Sequence, residues 1–85
     1  MKNVNTMSEM EAILFEVFYE TGATVPFTIS GSTNEFVLVR INEDGDIVVD
    51  IRDTETRASV LDQEEIFSTA SEAGGFICYW TGLAY

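Results

Sequence analysis

The chain has 85 residues, with fifteen Asp and Glu against four Lys and Arg, no His, and a net charge of −11. It is nonetheless 46% hydrophobic and 12% aromatic, which excludes a disordered acidic tail, since such tails lack the apolar residues that offset chain entropy. Charge of one sign on this scale opposes a compact state through self-repulsion, so the excess points to a cause outside the fold.

The length sets one domain over residues 1–85, with residues 1–6 expected to be flexible. A domain this small buries only roughly 60–65% of its unfolded surface, so its stability margin is thin. Lys2 is followed by polar Asn3, Asn5 and Thr6 rather than the apolar run of a signal peptide. Nowhere does an apolar run approach the roughly 18 residues of a membrane span. A lone Cys78 cannot form an internal disulfide. Together these features predict a cytoplasmic protein. Strong negative charge also argues against direct contact with nucleic acid or an anionic membrane.

Residues 8–21 predict an amphipathic helix. Met10, Ile13, Leu14, Val17 and Phe18 recur at the spacing of one helical face. Thr6 with Glu9, or Ser8 with Glu11, suits a capping box, and Gly22 suits the stop. Glu9, Glu16 and Glu20 share a stripe beside the apolar face, while Ala12, Phe15 and Tyr19 occupy a third side.

Residues 25–30 predict a short strand, whose Pro26 suits an edge or a strand start. Gly31, Ser32, Thr33 and Asn34 form a turn cluster. Residues 35–42 and 46–53 then predict a hairpin. A loop of Glu43, Asp44 and Gly45 puts the glycine at the left-handed position of a type I turn with a G1 bulge. That loop sets Val37, Val39 and Ile41 opposite Ile51, Val49 and Ile47, one wholly β-branched face. The other face carries Phe36, Leu38, Arg40, Val48, Asp50 and Arg52. A register one residue away would mix the two faces.

A weaker strand is expected over residues 56–61. Asp62 with Glu65 suits the cap of a second helix lined by Ile66, Phe67, Ala70 and Ala73 and ended by Gly74 and Gly75. Residues 76–81 are dense in aromatic and β-branched side chains and predict a final strand. In that strand Phe76, Cys78 and Trp80 would face the core, and Ile77, Tyr79 and Thr81 the second face of the sheet. The expected fold is therefore α+β, an antiparallel sheet of four or five strands with two helices packed on one face, in the order α-β-β-β-(β)-α-β.

Chemistry is sparse. Without His, the Ser–His and Cys–His nucleophile systems and His metal sites are absent. An EF-hand would need Asp and Glu at its first and twelfth positions, where counting from Gly45 gives Arg40 and Ile51. Cys78, in an aromatic run, reads as a buried inert thiol. No enzyme activity, cofactor or metal is expected.

The acidic and aromatic residues carry the functional expectation. Glu43, Asp44, Asp46, Asp53 and Glu55 cluster in sequence, and Glu9, Glu16 and Glu20 line the first helix. Such carboxylates can compete with phosphate for Lys and Arg, although helix acids also serve as solvating faces and loop acids as turn formers. Arg40, Arg52 and Arg57 are expected to be occupied within the central sheet through cross-strand pairing with Asp50 or its neighbours. Phe15 and Tyr19, off the main apolar face, are candidate partner contacts. In size and charge alone the chain resembles phage-encoded mimics that disable restriction or CRISPR effectors, and bacterial immunity proteins and antitoxins that neutralise a nuclease. That resemblance implies an inhibitor acting in the cytoplasm, the host's if phage-encoded, on a basic nucleic-acid-binding protein or nuclease. The alternative is a homodimeric structural or assembly subunit with no inhibitory role.

Overall fold

A computed structural model describes residues 1–20, 24–30 and 32–83, with the side chains of residues 20, 32 and 33 outside the description. Among these, the elements run β1 (Lys2–Val4), α1 (Met7–Glu20), β2 (Val25–Ile29), β3 (Ser32–Ile41), β4 (Ile47–Asp53), β5 (Glu65–Phe67) and α2 (Ala70–Thr81). The strands form one sheet in the order β1-β2-β3-β4-β5. The architecture is α+β, as expected, but the sheet is mixed: β1 runs parallel to β2, and every other pair is antiparallel.

The hairpin has the register its sequence predicts. Val37 pairs with Ile51, Val39 with Val49 and Ile41 with Ile47, and Gly45 takes the left-handed conformation at φ 82°. Asn42 shapes the turn, its Oδ1 accepting from the backbone N–H groups of Asp44 and Asp46 at 3.0 and 2.9 Å. The β-branched face is the floor of the core. Its residues share one buried cluster with Met10, Ile13, Leu14 and Val17 of α1, Ala73, Ile77 and Cys78 of α2, and Val4 and Phe27.

α1 starts at the first of the two capping boxes. Thr6 Oγ1 accepts from the Glu9 N–H at 3.2 Å and lies 3.5 Å from the Glu9 carboxylate. Gly22 and Gly31, expected as a helix stop and a turn, lie outside the described residues. Of the expected turn cluster, residues 32–34 belong to β3. Residues 1–6, expected to be flexible, contain strand β1, and Val4 is fully buried against the core.

The C-terminal third departs most from expectation. Residues 56–61 make no strand; one bridge, Arg52 to Ser59, ties them to β4. The segment expected to be a helix from Asp62 contains β5 instead, with Ile47, Val48 and Val49 opposite Phe67, Ile66 and Glu65. The expected final strand is helix α2, which runs through Gly74 and Gly75. Thr69 and Glu72 supply its capping box, with the Glu72 N–H donating to Thr69 Oγ1 at 3.2 Å. Its end is Gly82, left-handed at φ 76°, whose N–H bonds to the Cys78 carbonyl.

Gly74 does not break α2 because it is where the helices meet. A Cβ built there would lie 3.4 Å from Met7 Cε and 3.5 Å from Leu14 Cδ1 and Met10 Cε. Helical spacing also reassigns the aromatic run. Ile77 and Cys78 are buried, Tyr79 is exposed, and Trp80 is 39% exposed rather than in the core. Phe67, Phe76 and Trp80 stack in a row, with ring centroids 5.4 and 6.2 Å apart.

Candidate functional site

The candidate carboxylates divide between the two ends of the sheet. β4 lies between the hairpin loop and Asp53, and its seven residues span about 20 Å at the rise of a strand. The expected single cluster over residues 43–55 is therefore two groups. Sequence proximity misled here, because an extended strand separates what the numbering brings close.

One group shares an end of the molecule with the C-terminal half of α1. Val25, where β2 begins, pairs with Val39, next to the hairpin loop. Phe67, where β5 ends, pairs with Ile47 and leads into α2. Glu43 and Asp44 are exposed at this end, as is Glu16 on α1, while Asp46 is half-buried. Glu20 closes α1 there. The helix carries no basic residue in its last turn, so no cation of its own offsets the negative end of the helix dipole.

At the opposite end the acids have work inside the fold. Glu9 belongs to the cap of α1. Asp53 Oδ1 accepts from the N–H groups of Glu55 and Thr56 at 2.8 and 3.0 Å. Those two bonds hold its carboxyl below the usual range. Glu55 is exposed beyond it. Glu35, opposite Asp53, accepts from the Trp80 indole at 3.3 Å.

Phe15 and Tyr19 stand at the first end with Phe18, which the sequence had assigned to the core-facing side. They are 62% and 66% exposed, and Phe18 is 38% exposed. The rings form one cluster, Phe15 to Tyr19 at 4.5 Å and Phe18 to Tyr19 at 4.9 Å between centroids. Two shallow grooves, of about 240 and 360 Å³, meet at Phe15 between α1 and the start of α2. Ser68, Thr69 and Ala70 wall the first, and Met7, Glu11 and Ser71 line the second. Aromatic rings held together at the mouth of a groove present large apolar area with few rotors to freeze on binding.

All three arginines engage groups on the other face of the sheet. Arg40 pairs with Glu64 at 2.7 Å and Arg52 with Asp50 at 2.9 Å. Arg57 lies 5.6 Å from the ring centre of Phe36, within cation–π reach. The pairing of Arg52 with Asp50 runs along one strand rather than across strands, and Arg40 reaches the segment before β5. Asp50 is the buried member, and Ser59 Oγ donates to its second oxygen at 2.6 Å.

Cys78 is buried, and burial, followed by the charge of Glu11, raises its thiol pKa. Among the described residues, no group of three or more Asp, Glu or Cys is arranged to hold a metal ion, and no helix is long and apolar enough to cross a membrane. Comparison of the chain with protein families, curated proteins and solved structures finds no match to any of the three.

Proposed function

We propose that this is a small acidic protein that binds a basic nucleic-acid-binding protein or nuclease and inhibits it by competing for its phosphate-binding cleft. The observation that carries the reading is the exposed Phe15, Phe18 and Tyr19 cluster at the same end as Glu16, Glu43 and Asp44. Carboxylates supply long-range attraction to Lys and Arg and raise the association rate. Aromatics that bury on contact slow dissociation. A partner's cation beside the last turn of α1 would also meet a helix end that carries no basic residue of its own. Glu9, Asp53 and Glu55 lie outside this surface and contribute only to the overall field.

The mode of action is that of phage anti-defence proteins, including anti-CRISPR proteins, or of immunity proteins, and it would operate in the cytoplasm, the host's if phage-encoded. A structural subunit that dimerises through α1 is the weaker reading, because two copies meeting there would bring like-charged ends together.

The test is capture from a host lysate on the immobilised protein at low and high salt. The expected result is retention of basic nucleic-acid-binding proteins that duplex DNA displaces. The Glu16→Lys, Asp44→Lys pair should slow association without unfolding the domain. Retention that neither DNA nor charge reversal affects would overturn the proposal.

A further inference from the structure

We infer that the open face of the sheet is the surface through which two copies of this chain pair. β4 is buried from Ile47 through Ile51 on both of its faces, as in strands covered by a layer on each side. The helices supply one of those layers, and the side chains of Arg40 and Arg52 with the connection between β4 and β5 supply part of the other within the chain. On the other face Val48 and Asp50 are shielded at a cleft of about 170 Å³ whose walls include Leu38, Arg40, Arg52 and Glu64, with no described helix residue among them. Next to Val48, Ile66 is 58% exposed and Leu38 is half-buried. The face thus has an apolar strip flanked by charged side chains that are themselves about half-exposed, Arg40 at 42% and Glu64 at 45%.

Charge identifies the occupant. Three of the four cations of a chain of net −11 stand on this face, with Asp50 and Glu64 beside them. Elsewhere two copies would press like charge on like charge. Here the surface is close to neutral and complements itself under a two-fold axis, since a contact from Arg40 of one copy to Glu64 of the second is repeated in reverse. Glu64 has acceptor capacity for a second guanidinium beyond its bond to Arg40 within the chain. Leu38 and Ile66 of the two copies, lying over the already buried Val48, would form the dry centre of an aligned sheet-on-sheet contact. The pairing leaves the α1 aromatics outward on each copy, and it stands or falls independently of any inhibitory target.

The experiment is sedimentation equilibrium of the full chain up to about 300 μM, a range that reports Kd values weaker than about 1 μM. The expected mass is twice the 9.5 kDa of one chain. Arg40→Glu should weaken the dimer at least about tenfold, which is about 1.4 kcal/mol. The reciprocal exchange Arg40→Glu with Glu64→Arg should restore it. Ile66→Lys, at a site exposed enough to leave folding intact, should weaken it as well, with circular dichroism checking the fold of each variant. A single-chain mass at every concentration would overturn the inference. So would a dimer that Ile66→Lys leaves unchanged but Phe15→Ala with Tyr19→Ala dissociates.

Discussion

Ser59 Oγ donates a 2.6 Å hydrogen bond to Asp50 Oδ1, so the connection between β4 and β5 completes the environment of a buried carboxylate. The second oxygen accepts from Arg52 Nε at 2.9 Å. One acid in the centre of a strand thereby fixes both a neighbouring side chain and the path of the chain after it. The contact also predicts how the protein responds to acid.

Burial pushes the Asp50 carboxyl up, but the bonds from Ser59 and Arg52, the Arg52 charge and the Ile51 N–H outweigh it and hold it below the usual range. A carboxyl depressed by folding contributes stability that is complete above its unfolded value and is lost as pH falls through its folded one. The Asp50 contribution to the denaturant midpoint should therefore be complete at pH 7 and fade only as pH falls below about 4. Asp50→Asn should be less stable at neutral pH and show a shallower acid-induced drop. Parallel pH profiles for the two proteins would assign the acid sensitivity elsewhere, with Asp53 the first candidate.

Gly74 offers a gain in stability. Glycine inside a helix costs about 0.5–1 kcal/mol relative to alanine. The nearest atoms to the added Cβ would be the ends of Met7, Met10 and Leu14, none closer than 3.4 Å. Gly74→Ala should raise the urea midpoint by an amount worth about 0.5–1 kcal/mol. A larger Gly74→Leu side chain should lower it, because the helices would have to separate. A lower midpoint for the alanine variant would mean that α1 and α2 lie closer than this geometry.

Thr69 carries the start of α2. Removing its hydroxyl orphans the Glu72 N–H, at a cost of about 1 kcal/mol for an N-cap. Thr69→Ala should lose that much stability in urea titration, and Thr69→Ser should recover most of it. An unchanged midpoint in the alanine variant would argue that the helix begins elsewhere.

Cys78 should be slow to react. The thiolate is the nucleophile, and both burial and Glu11 disfavour it. Alkylation by iodoacetamide near pH 8 should be far slower in the folded protein than in urea. Similar rates in the two conditions would mean that the contact between α1 and α2 opens readily.

The hairpin and α1 were legible in the sequence because each rests on local rules. Alternation of period two with Gly45 fixed the register, and the spacing of Met10, Ile13, Leu14 and Val17 fixed the helix face. α2 was not legible. Residues 76–81 have the composition of a strand, and Gly74 and Gly75 look like a stop. What decides their conformation is tertiary: as a helix the segment sets Ala73, Ile77 and Cys78 in one core with Met10 and Leu14 of α1. The capping pair Thr69 and Glu72 is the local signal for α2, and it competes with the similar pair Asp62 and Glu65 seven residues earlier. β1 was missed because three residues carry little pattern, and its parallel partner lies across a whole helix. At the candidate site, the acids and the exposure of Phe15 and Tyr19 were visible, but their grouping was not, since it depends on which strand ends lie together.

The concentration of arginines on one sheet face gives a single copy, before any pairing through that face, an electrical orientation as well as a net charge. In the field of a positive surface it experiences a torque in addition to an attraction. Brownian rotation is then biased before any atoms touch, turning Arg40, Arg52 and Arg57 away and the carboxylates forward. Fewer collisions are wasted on the wrong side, and added salt would randomise the approach before it abolished binding.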